Sequence, residues 1–67
     1  MRAKGSRYAV KAYSVQGILG EEYEDLTGDE LDAIVNELYR ERQYGPLNIM
    51  ISRNGREPIS ASELLGI

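Results

Sequence analysis

Residues 26–46 read LTGDELDAIVNELYRERQYGP, and this stretch sets a helix at the centre of the chain. Thr27-Gly28-Asp29-Glu30 has the S/T-x-x-E spacing of a capping box, in which the Thr27 hydroxyl accepts from the Glu30 amide and the Glu30 carboxylate accepts from the Thr27 amide. Leu26 and Leu31 stand at the two positions of a hydrophobic staple. Leu31, Ile34, Val35 and Leu38 then recur at i, i+3, i+4 and i+7, the stripe of a helix buried on one side. Acids fill the first turn and Arg40 and Arg42 the last, as the helix dipole favours. Pro46 cannot continue the helix, and Gly45 is placed to take the left-handed conformation just beyond its end. The spacing predicts a helix over about 28–43, ~24 Å long at 1.5 Å per residue.

Strand patterns flank this helix. Residues 7–15, RYAVKAYSV, contain no breaker and alternate Tyr8, Val10 and Ala12 with Ala9, Lys11, Tyr13 and Val15. Lys11 marks its own face as the wetter one, so Val10 and Ala12 are expected to point inward. Gln16-Gly17 and Gly20 bracket Ile18-Leu19 and suggest a turn with two apolar residues at its tip. Gly17 to Gly20 also forms a G-x-x-G, read here as a turn because it follows a strand and has no lysine beside it. Residues 20–26 are a weak candidate for the returning strand, since acids are poor strand formers.

Beyond the helix, Leu47, Ile49 and Ile51 alternate with Asn48, Met50 and Ser52. Asn54-Gly55 follows, a strong hairpin signal because a type I′ turn needs positive φ at both central residues. Residues 56–59 would return as an edge strand, where Pro58 is tolerated. Ser60-Ala61-Ser62-Glu63 is a second S/T-x-x-E match and opens a short helical turn. The expected fold is α+β: about four strands in a small mixed or antiparallel sheet, one helix packed across it, and a short C-terminal helical turn. This strand-strand-helix-strand-strand order resembles β-grasp domains, in element order and over about residues 7–59. Residues 7–67 are expected to form one domain preceded by a flexible basic arm, residues 1–6.

The whole chain is 67 residues with a formal charge of −3. A core of this size buries only about 60% of the unfolded surface, which favours help from oligomerisation. There is no Cys, His, Phe or Trp. Thiolate chemistry, disulfides and Cys-based metal sites are therefore excluded, and the usual neutral-pH base is missing. No nucleophile–base pair, metal-ligand spacing or phosphate-binding loop occurs, so the chain reads as a non-enzyme without a cofactor. It has no apolar run of membrane-spanning length and no secretory leader, and is expected to be a complete, soluble, cytoplasmic protein.

Its modest net charge hides a partition. Residues 1–20 carry four bases and no acid, residues 21–37 eight acids and no base, and residues 38–67 four bases and three acids. The acidic stretch is the leading candidate for a partner-binding surface: Glu21, Glu22, Tyr23, Glu24, Asp25, Asp29 and Asp32 would steer and select a larger protein. An inhibitor or modulator of that protein, of the phage or mobile-element anti-defence or DNA-mimic kind, is the expectation drawn from size and charge. The competing reading pairs these acids with Arg7 and Lys11 across a hairpin.

A second expectation is an oligomer that sequesters a small anion such as a nucleotide, with Arg7, Lys11, Arg53 and Arg56 holding phosphate and Tyr13 stacking. Single-strand nucleic-acid binding by the same residues is a further option. Against it stand an isoelectric point of about 4.8 and the lack of any RNP-type motif. Met50, Leu64, Leu65 and Ile67 are candidates for self-association. Tyr39 and Tyr44 are expected to complete the edge of the core.

Overall fold

The computed structural model describes residues 7–66, leaving out the side chain of Leu65. The expected arm over 1–6, the Leu65 side chain and Ile67 lie outside the described residues. Strands β1 (Tyr8–Tyr13) and β2 (Leu19–Leu26) lead into helix α1 (Gly28–Asn36), which runs on as a π-helical segment, Glu37–Glu41. A 3₁₀ turn at Pro46–Asn48, strand β3 (Ile49–Arg53), strand β4 (Ile59–Ser60) and helix α2 (Ala61–Leu65) complete the order. The fold is α+β, as the sequence implied. The sheet is antiparallel throughout, in the order β2-β1-β3-β4. Both neighbours of β1 run against it, so β2 and β3 point the same way and α1 must cross a sheet face to join them. The likeness to β-grasp domains goes no further than the order of elements along the chain.

Val10 and Ala12 face inward and are fully buried, with Ile49 and Ile51 beside them on β3. Leu31, Val35 and Leu38 cover this face from α1 and the π-helical segment, Leu26 closes it from β2 and Ala61 from α2. Leu26 and Leu31 are both buried, as their staple positions require. Tyr8, Tyr23, Ile34 and Tyr44 pack at the margin, whereas Tyr39, expected there too, is exposed.

The turn chemistry explains the first hairpin. Ser14 N donates to Ile18 O and Gly17 N to Ser14 O, both at 2.9 Å. Gly17 sits at φ +85°, as a three-residue hairpin loop with a left-handed last position demands. The Ser14 hydroxyl also accepts from the amides of Gln16 and Ile18, at 3.3 and 3.2 Å. The turn therefore spans Ser14–Ile18, and Gly20, expected within it, lies in β2. The register shifts opposite Ala12/Tyr13, where Gly20 is the extra residue, and again near Asp25, which has φ +60°. Both are β-bulges in an edge strand.

The capping box on α1 forms in full. Glu30 N donates to Thr27 Oγ1 at 3.2 Å and Thr27 N to Glu30 Oε1 at 2.9 Å. The other end departs from expectation. The helix widens into the π-segment, where Arg42 N donates to Glu37 O, and Tyr44 N then reaches Leu38 O. The left-handed residue is Gln43, at φ +60°, while Gly45 is extended. Pro46 opens a 3₁₀ turn, so β3 starts at Ile49 rather than 47, and Leu47 is exposed.

Asn54 and Gly55 take φ values of +55° and +75°, as the hairpin signal requires. The return strand forms at Ile59–Ser60 rather than 56–59, because Pro58 cannot donate to the ladder. Ser60 Oγ then accepts from Glu63 N to start α2.

Candidate interaction surfaces

The acidic stretch divides by the pleat of β2. Glu21 pairs with Ala12 and Tyr23 with Val10, so both lie on the helix-covered face. There Arg42 Nη1 donates to Glu21 Oε2 at 3.0 Å and the Tyr23 hydroxyl donates to Glu21 Oε1 at 2.8 Å. Arg42 also reaches Glu37 at 3.4 Å. The hydrogen bond to the Glu21 carboxylate, helped by burial and the carboxylate's charge, holds the Tyr23 phenol above its usual pKa. Glu21 and Tyr23 are thus committed to joining the edge strand to the helical segment. Sequence alone offered no signal for the link, whose partners stand 21 positions apart.

Glu22 opposes Lys11 on the other face, 3.8 Å away, and Asp25 meets Arg7 at 3.4 Å. Both pairs are exposed and contribute little, about 0–1 kcal/mol each. The cross-strand pairing of basic β1 with acidic β2 is therefore real. Glu24, Asp29 and Asp32 are exposed and hold no ion pair among the described residues. Acids along β2 also guard a long edge against pairing with other strands.

The hairpin tip groups three exposed apolar side chains, and Leu47 in the 3₁₀ turn is exposed too, at 72%. Val15 is 89% exposed, Ile18 66% and Leu19 45%. Ile18 and Leu19 were legible as bulky residues at a loop tip. Val15, expected at the end of a strand over 7–15, lies instead in the turn that Ser14 and Gly17 close.

The five expected anion-binding residues do not all converge: three share one cleft, and Arg7 and Arg53 lie elsewhere. Lys11, Tyr13 and Arg56 border a cleft of about 430 Å³ on the uncovered sheet face. Arg53 lines a groove with Tyr8, Glu57, Ile59 and Leu64 on the other side of β3, which Arg56 borders as well, and Arg7 sits in a third hollow with Asp25 and Asn54. The self-association set also divides, with Met50 in the uncovered cleft and Leu64 in the opposite groove. Among the described residues, no cluster of acids is arranged to hold a metal ion, and no helix is long and apolar enough to cross a membrane. Comparison with family models, curated proteins and solved structures returned no match.

Proposed function

We propose that this chain is a protein-interaction module whose contact surface is the tip of the β1–β2 hairpin, continued by the acidic edge of β2. The carrying observation is the exposure of Val15, Ile18 and Leu19 on a turn pinned by Ser14. A turn ordered before binding loses less entropy when it docks. Exposed aliphatics supply affinity once they enter a cleft, and the neighbouring charges set orientation and approach. The partner is a larger protein with an apolar cleft and a basic rim that Glu22 and Glu24 face, while Asp29 and Asp32, at the far end of β2, add only to the long-range field. Inhibition or modulation of that partner suits so small a chain. The lack of cysteine suits a reducing, cytoplasmic setting.

The test is capture of a partner by the native chain and by a Val15→Ser/Ile18→Ser/Leu19→Ser variant with an unchanged circular-dichroism spectrum. The partner is then titrated with both forms. The variant should bind at least about tenfold more weakly, equivalent to ~1.4 kcal/mol. Equal affinity for the two forms overturns the assignment. Charge reversal at Glu24, Asp29 and Asp32 should slow association and flatten its salt dependence without disturbing the ion pairs above.

A further inference from the structure

The helices pack against one sheet face, and among the described residues no element covers the opposite face. Across it, Lys11 pairs in register with Met50, and Ala9 with Ser52. The segment after the Asn54-Gly55 turn brings Arg56 and Pro58 to the same place and raises one wall. The resulting cleft, about 430 Å³, falls within the range of small-molecule sites.

Its lining is selective. Although the protein is net acidic, the described residues that line this cleft include two cations, Lys11 and Arg56, and no carboxylate, with Glu22 beside Lys11 at its margin. Arg56 makes no side-chain ion pair among the described residues. Lys11 is held only by the exposed 3.8 Å contact to Glu22, an interaction weak enough to yield to a better acceptor. The Tyr13 and Ser52 hydroxyls add two donors, while Ala9 and Met50 supply apolar contact. Tyr13 is half-buried, so its ring is held at the cleft and still offers surface for stacking.

We infer that this uncovered-face cleft binds a planar organic phosphate, with Lys11 and Arg56 on the anion and Tyr13 and Met50 against the flat body. The guanidinium matches a phosphate through two parallel donors, and the ammonium adds a point charge. A bare anion would leave the apolar lining unused, and a neutral ring would leave both cations unused. Both halves of the ligand are therefore needed. The cleft is built from different residues than the hairpin tip, so either assignment can fail alone.

The test is a nuclear magnetic resonance titration of the ¹⁵N-labelled full chain with adenosine 5′-monophosphate, adenosine and inorganic phosphate in parallel. The nucleotide should shift the amides of Lys11, Tyr13, Ser52 and Arg56 in a saturable way, and each of the other two probes should bind at least about tenfold more weakly. Arg56→Glu and Lys11→Gln should each weaken the nucleotide by a similar factor while leaving the rest of the spectrum in place. Absence of saturable shifts up to about 10 mM nucleotide, some ten times a weak Kd of 1 mM, overturns the inference. So do shifts centred elsewhere, equal binding of adenosine, or nucleotide binding unaffected by both substitutions.

Discussion

Arg42 Nη1 donates to Glu21 Oε2 at 3.0 Å, a contact that fastens the end of the helical segment to the outermost strand. Glu21 is mostly shielded and also accepts from Tyr23, so the three side chains act as a unit. Arg42→Ala should cost about 1 kcal/mol, less than a buried pair because the guanidinium is half exposed. In a domain of this size that is a fall in melting temperature of ~4–8 °C, readable by calorimetry.

The same unit gives an alkaline signature. The folded state holds the Tyr23 proton more tightly than the unfolded chain, where the phenol titrates near 10.0. The stabilisation is therefore fully present below that pH and is lost as pH rises through the higher folded value. Urea midpoints measured from neutral pH to about 11 should fall more steeply for the native chain than for Tyr23→Phe. Parallel curves would contradict the Tyr23–Glu21 hydrogen bond.

Gly20 has no room for a side chain, because a Cβ there would collide with the Tyr44 hydroxyl. Tyr44 packs at the core margin, so moving it aside disturbs that packing. Gly20→Ala should cost about 1–3 kcal/mol, the range for overpacking. Tyr44→Phe removes the obstructing oxygen, so the double variant should recover much of that loss. Denaturant titrations of the four-member cycle would expose the coupling.

Two substitutions at the helix end should stabilise. Gln43 is held at φ +60°, a strained backbone for an L residue, and Gly45 is extended in open space. Gln43→Gly relieves the strain at some entropic cost, for a net gain of about 0.5–1 kcal/mol. Gly45→Ala narrows the unfolded ensemble and should add about 0.4–1 kcal/mol. Each gain is readable as a higher denaturant midpoint at unchanged slope.

Leu38 is almost wholly buried where the π-segment meets the sheet. Leu38→Ala should cost about 2–5 kcal/mol. Total stability for a chain of this length is about 3–10 kcal/mol, so a substantial unfolded fraction is expected at room temperature. Far-ultraviolet dichroism with a urea titration would measure it.

These relationships also show which parts of the fold were legible in the sequence. Thr27 with Glu30, Ser60 with Glu63 and Asn54 with Gly55 act within a few residues of each other, and each was readable from spacing. So was the inward pair Val10 and Ala12, because a strand's alternation is local. The π-widening, the left-handed Gln43 and the bulge at Gly20 answer to packing between distant segments. Gly20 is shaped by Tyr44, and Arg42 by Glu21. The expected anion-binding set came together only in part, for a related reason. Pleat and turn geometry place Lys11 and Arg53 on opposite faces, and a list of cations carries no information about the pleat.

Arg7 and Asn54 exchange two hydrogen bonds, Arg7 N to Asn54 Oδ1 at 2.9 Å and Asn54 N to Arg7 O at 2.7 Å. They stand 47 positions apart and seal the central strand against β3. Pairing between β1 and β2 needs only a short loop, whereas this seal must wait until residue 54 has been added, 47 positions after Arg7. Distant contacts form late because their loop-closure entropy comes first. On the ribosome the first hairpin therefore has an interval with one flank of β1 bare, the kind of unpaired edge on which chains aggregate. Slowing translation before residue 54 should prolong that interval and lower the soluble yield.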